Sequence, residues 1–428
     1  MGIRFSRRAR VAAVSALSVV ALGLTSCSGS GDLAGDAEVN TIDASIAGSI
    51  EAAVQSAMEL SGSTSAVVGV WQSDESAYVQ GFGGVEAGAP IRAAQASQPV
   101  MCAMLLDLVD QGRLSLDRKI SKDMPRQVGV EDITYGQLCD GKSGLADFKT
   151  SISDIFANNP TRPWSDRELT AQGLARSPLS WPGLDVHISD TDPMMLGRSL
   201  RLALGGSLPE LLEEHVFSQA GMHSSYYPEN TFTDMTLPSG GMTGYTYPIS
   251  GGAPVCDAGV VEVPKVSPSM LAGAGATVTT VTDLKNFYEY YLGGGFGEGT
   301  KDLITATVTN DNPQRDENGE PLPPEEGAEP ASGARLWGFG LEQVGPLFGM
   351  SGSMTGTITA AYHDPASGLS VVVSLNNSTA GAGFARTLAF ELAALAGGEV
   401  SWTAEDQAAA LAAMAVCPVA EEEAPAEG

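Results

Sequence analysis

The sequence predicts an α/β (α+β) chain in which an antiparallel sheet is assembled from both chain ends and flanked by helices. A mostly helical domain, made by the middle of the chain, stands beside that sheet. Two observations predict this. Strand-like runs occur near the start and again near the end, and the long interval between them carries helical periodicity and loops. The 428 residues are also enough to bury a large core as one or two domains.

A leader comes first. Arg4, Arg7, Arg8 and Arg10 precede an apolar stretch from Val11 to Leu24. That stretch is shorter than the ~20 residues a membrane-spanning helix needs, so it reads as an export signal over residues 1–26. It ends in Leu24-Thr25-Ser26-Cys27, which resembles a bacterial lipobox with Cys27 as the acceptor of a diacylglyceryl group. The alternative is plain secretion with cleavage near Ser26. The lipobox implies a protein lipid-anchored at the outer face of the cytoplasmic membrane, since two or three acyl chains hold durably where one does not. Residues 27–40 read as a flexible linker.

A helix is predicted from Ile42 to Leu60, with Ile46, Ile50, Val54 and Met58 on one face. Strands follow at Ala66–Trp71 and Ala77–Val79 around a Ser73-Asp74 turn. A second helix runs from Pro99 to Gln111 and ends at Gly112. The sheet part is placed at about 41–92 and 270–400, and the helical part at about 93–269. Another helix begins near Thr282, read as its N-cap, and stops at Gly293-Gly294-Gly295. Residues 310–334 carry Asn, Pro, Glu and Gly with few apolar side chains and read as a disordered acidic insertion. Strands return at Trp337–Leu341, Thr357–Tyr362 and Leu369–Leu375, the last two joined by an Asp364-to-Gly368 turn. Helices at Phe384–Ala396 and Glu405–Met414 precede an acidic tail, so 401–428 form a C-terminal helix and tail.

Charge narrows the partners. Removing the leader leaves 19 basic against 51 acidic side chains, a net charge of −32. Such a surface repels nucleic acid and anionic lipid, which argues against nucleic acid as a partner. With Cys27 lipidated, Cys102, Cys139, Cys256 and Cys417 remain, an even number in an oxidising compartment. They show no CxxC and no Cys/His cluster, so neither a metal site nor a cofactor is expected.

Several segments match one family in its own order, over about residues 45–400. Leu105-Leu106-Asp107-Leu108-Val109-Asp110-Gln111-Gly112 resembles the helix that follows the active-site serine in class C β-lactamases and D-alanyl-D-alanine carboxypeptidases. Ser143-Gly144-Leu145 is similar to that family's Ser-Gly-Leu turn, and Trp181-Pro182-Gly183 to the Pro-Gly before its second catalytic motif. Ala220-Gly221-Met222, Ala272-Gly273-Ala274-Gly275, Phe339-Gly340-Leu341 and Ser374-Leu375-Asn376-Asn377 resemble later family segments. The resemblance implies the β-lactamase/penicillin-binding transpeptidase-like fold. Four cysteines allow three pairings; the implied fold puts Cys102 and Cys139 on neighbouring helices, which favours Cys102–Cys139 with Cys256–Cys417, and the alternative is four buried free thiols.

The same alignment shows what is missing. The family's Ser-x-x-Lys puts a nucleophile and its base one helical turn apart. Its serine falls on Gln95 and its lysine on Gln98, and Ser-x-x-Lys occurs nowhere in the chain. The Tyr-x-Asn motif becomes Ile188-Ser189-Asp190. The third motif, Lys/His-x-Gly, becomes Met350-Ser351-Gly352, followed by Ser353. The histidine two residues before Ser-Gly-Leu is Gly141. His187 reads as a structural histidine with satisfied nitrogens. Backbone N–H groups at Gln95 and Ser353 retain the place of the family's oxyanion hole, so a groove that takes a carbonyl is conceivable.

In a serine hydrolase, losing the nucleophile or its base costs on the order of 10⁶ in turnover. The sequence therefore points to a catalytically inactive envelope protein, using the old cleft or its acidic surface to bind a peptidoglycan fragment, a small ligand or an envelope protein. The competing reading is an active serine hydrolase with Ser97 as an unusual nucleophile. A third is a platform with a filled cleft, suggested by apolar Ile188 and Met350.

Overall fold

The computed structural model describes residues 37–73, 75–309 and 334–418. The stretch read as an export signal, Cys27 and most of the stretch read as linker lie outside the described residues. So do Asp74, all of the insertion but Ala334, and the tail from residue 419.

Nine strands form one antiparallel sheet: β1 (Val39–Asn40), β2 (Ala66–Ser73), β3 (Ser76–Phe82), β4 (Val308–Thr309), β5 (Arg335–Trp337), β6 (Glu342–Val344), β7 (Leu347–Met354), β8 (Thr357–His363) and β9 (Ser370–Leu375). Their order is β1-β3-β2-β9-β8-β7-β6-β5-β4. The seam between the chain ends is the β9–β2 pairing, with Val373 opposite Val68. Val39 and Asn40, within the stretch read as linker, pair with Val79 and Tyr78 as an edge strand. The run read as one strand from Trp337 to Leu341 turns after Trp337, and β7 appears as a further strand.

Side-chain alternation gives the sheet two covered faces. Val68, Val70, Ala360, Tyr362, Val371 and Val373 face α1 (Ala44–Ser61) and a late helix at Gly381–Leu395. Ile50 and Val54 of α1 are fully buried there, as the periodicity predicts. Asp43 caps α1 by accepting from the Ser45 N–H. The C-terminal helix, Ala404–Ala413, packs on the late helix rather than standing apart, and buries Leu411.

Val67, Val79, Met350, Met354, Ala361 and Val372 face the other way, into the core shared with the middle of the chain. At its centre lies α2 (Pro99–Asp110), whose residues from Pro99 to Leu108 are all buried. A helix sealed all round is held by its surroundings, not by one amphipathic face. Two further helices matter here: α3 (Asp166–Leu174) and α4 (Thr191–Leu204). The Val281–Leu292 helix is capped by Thr280, which accepts from the Asp283 N–H, so Thr282 lies inside the first turn. The middle region also contains two small two-stranded sheets.

Disulfides join Cys102 to Cys139 and Cys256 to Cys417. The first ties α2 to the turn ahead of Ser143. No helix among the described residues is long and apolar enough to cross a membrane.

Candidate functional site

The site begins with a strained turn. Ala94 has φ 47°, a left-handed conformation that costs a non-glycine residue about 1–2 kcal/mol. It opens the short 3-10 turn Ala94–Ser97 and brings Gln95 against β7. The approach is so close that a Cβ on Gly352 would lie 2.2 Å from the Gln95 nitrogen. Glycine is the residue that fits there. Strand β6 pairs with β7 only over Leu347–Gly349, so the end of β7 presents an open edge at this point. The Ser353 N–H uses that edge to donate to Gln95 Oε1 at 2.9 Å.

Gln95 is engaged at its other end too. Its Nε2 donates to Asp190 Oδ2 at 2.6 Å, and Gln98 Nε2 approaches Asp190 Oδ1 at 3.4 Å. Asp190 also meets Lys149 Nζ at 2.5 Å, and its N–H donates to Asp147 Oδ2 at 3.2 Å. Burial pulls the Lys149 ammonium down, yet Asp190 and Asp147 more than offset it and hold the group above its ordinary value. Burial, with Asp190 nearby, raises Asp147. Next to them lies Asp192, which accepts from Ser143 Oγ at 2.5 Å. Burial raises its carboxyl well above the usual range, and Asp140, Asp147 and Asp190 add to the shift.

The structure thus gathers Gln95, Gln98, Asp190, Gly352 and Ser353 in one place. The remaining residues from the aligned motifs turn away. Ile188 packs against the core, Met350 is buried in it, and Ser189 Oγ accepts from the Thr191 N–H. Ser351 faces the Tyr362 phenol. Ser97 is 2% exposed, and its hydroxyl donates to the Ala94 carbonyl at 3.0 Å. His187 differs from the expectation: its backbone N–H bonds the Gly141 carbonyl, but its buried Nε2 has no partner among the described residues. At Gly141 a Cβ would lie 2.8 Å from the Trp337 indole nitrogen, so that ring fills the space a histidine side chain would take.

Lys149, Asp147 and Asp192 were not found by the sequence reading. Motif alignment has no slot for them. A signal did exist, because a buried Asp190 requires a cation, and Lys149 follows shortly after the Ser-Gly-Leu turn. Lys149 and Ser353 also line a cavity of about 310 Å³ with Ser153, Phe156, Thr246 and Thr379. Among the described residues no group of three His, Cys, Asp or Glu is placed to hold a metal ion.

Chemically, the centre holds an amide where acyl transfer needs a hydroxyl. The expectation of an open carbonyl-binding groove is corrected at Ser353, whose N–H is already taken by Gln95 Oε1. The chain's own amide carbonyl occupies that donor.

The fold defines a protein of the serine β-lactamase and penicillin-binding class. The beta-lactamase family model matches residues 50–396, and the chain belongs to that family. Among solved structures it is similar to a D-stereospecific amidohydrolase from Streptomyces sp., at 20% identity and TM-score 0.64, over 77% of this chain and 94% of that one. It is similar to the D-amino acid amidase of Ochrobactrum anthropi SV3 with D-phenylalanine, at 18% identity and TM-score 0.62, covering 80% and 99%. A third is the octameric penicillin-binding protein homologue from Pyrococcus abyssi, at 17% identity and TM-score 0.65, covering 84% and 78%. Identities this low speak to the fold alone.

Proposed function

We propose that this protein is a catalytically inactive, lipid-anchored member of the family that binds a ligand at the cell envelope. The observation that carries the reading is the Gln95 side chain, held between the Ser353 N–H and the Asp190 carboxylate. An amide there neither attacks an acyl group nor titrates, and Lys149 is committed to Asp190 rather than free as a base. The alternative nucleophile, Ser97, is buried and bonded to backbone.

Binding would use the cavity beside Lys149 and Ser353, where a cation, several hydroxyls and the Phe156 ring stand together. A peptidoglycan fragment, a small ligand or an envelope protein segment suits such a lining. The anchor rests on Cys27 and its leader.

Incubating the full chain with a fluorescent penicillin, followed by intact-mass analysis, tests the inactivity. No acyl adduct and no β-lactam turnover are expected. Stoichiometric acylation of one serine, or turnover abolished by changing one serine, overturns it. Incorporation of labelled palmitate, lost in Cys27→Ser, tests the anchor.

A further inference from the structure

Arg92 stands three positions before Gln95 and points to a different part of the molecule. It is 7% exposed, and its Nη2 donates to the Met235 carbonyl at 2.7 Å. No carboxylate among the described residues pairs with it, and the nearby Tyr226 phenol, raised by burial, is uncharged at neutral pH. Burial pushes the guanidinium down to about 10, which leaves it charged at neutral pH. A buried cation without a counter-charge is costly, several kcal/mol in general. In a chain with 51 acidic residues, an available carboxylate is not what is scarce.

The guanidinium lines a pocket of about 190 Å³ between the 236–244 loop and the β7–β8 turn. Thr236, Thr243, Thr355 and Thr357 line it as well. Thr355 spends its hydroxyl proton on the Phe156 carbonyl. The other three hydroxyls make no hydrogen bond to protein among the described residues; Thr236 and Thr243 are exposed and Thr357 is buried. One cation and three threonine hydroxyls without a protein partner among the described residues therefore line this space, and no acidic side chain does.

We infer that this pocket is a binding site for a small oxyanion, a phosphate or carboxylate group, with Arg92 as its charged anchor and the threonine hydroxyls as additional donors. Arginine suits the task because its planar fork meets two oxygens at once. The site works against the protein's overall negative charge, which is feasible because that field is screened beyond about 8 Å at physiological salt. It adjoins the Lys149–Ser353 cavity, with Thr355 lining both, but the charged groups differ: Lys149 lines that cavity and Arg92 this one.

Calorimetric titration of the full chain with phosphate, sulfate and acetate, in a buffer free of all three, tests this. At least one is expected to bind at a single site with Kd below about 1 mM. Phosphate without acetate assigns a phosphoryl group, and the reverse a carboxylate. Arg92→Met should weaken binding more than about tenfold, the size of one charge-assisted contact. Should that variant fail to fold, the pair Thr236→Val and Thr243→Val keeps the guanidinium and should weaken binding several-fold. Absence of saturable binding to the wild-type chain at about ten times that concentration overturns the site. So does binding that both variants leave unchanged.

Discussion

Gln95 and Arg92 lie on one short segment, and their polar groups meet opposite fates. Around Gln95 most donors and acceptors satisfy one another, Ser353 N–H to amide oxygen, amide nitrogen to Asp190 and Asp190 to Lys149, leaving the buried Gln98 Oε1 and Asp192 Oδ2 without a partner among the described residues. Around Arg92 a cation is buried with one backbone carbonyl and unused hydroxyls. The difference teaches where to look for a ligand. A closed polar network gives an incoming group little to gain, because it must first displace an internal bond. A buried donor without an acceptor gains the full strength of the contact.

The largest effect expected from breaking this contrast comes from the cleft. Asp190→Ala removes the shared acceptor of Gln95 and Lys149, and should cost about 2–3 kcal/mol in chemical denaturation. That is below the range for a fully buried pair, because Lys149 is 30% exposed and can turn to water. The same variant should leave anion binding at Arg92 unchanged, and a parallel loss there would show that the two regions are not independent.

A smaller effect sharpens the electrostatic side. Asp192 is held well above its ordinary value, so it favours its protonated form in the fold. Its contribution to stability is therefore complete below about pH 4, the unfolded value, and is lost as pH rises through the raised folded value. Asp192→Asn keeps the acceptor for Ser143 and removes the charge. Melting curves at pH 5 and pH 8 should show a reduced decline in the variant, with a gain of about 1–2 kcal/mol at pH 8. An unchanged slope would mean that Asp192 does not titrate in this window.

The smallest concerns the turn between the two regions. Ala94→Gly relieves a left-handed alanine and should stabilise by up to about 1 kcal/mol, read as a modest rise in Tm. It should not create activity. Acylation appearing in that variant would contradict the inactivity argued from Gln95.

Much of this molecule was legible in one dimension. The terminal strands, the Ile50 and Val54 face of α1, the buried helix after the motif turn and both cysteine pairings were expected and are present. Periodicity and family spacing are local or ordered along the chain, so sequence carries them. The misses are of another kind. Thr280 rather than Thr282 caps a helix, because either hydroxyl satisfies the local pattern and only backbone geometry selects one. The Trp337–Leu341 run breaks because Trp337 is followed by a turn that lets β6 pair back.

By itself, the sequence determined which family scaffold the chain adopts and which reactive side chains it lacks. Both depend on residue identity at ordered positions. Tertiary structure alone decided that Lys149 pairs with Asp190, that Gln95 closes on Ser353, and that Arg92 is left without a carboxylate. Those outcomes join residues up to 258 positions apart. A charge's cost or gain is set by what surrounds it in space, which spacing along the chain does not encode.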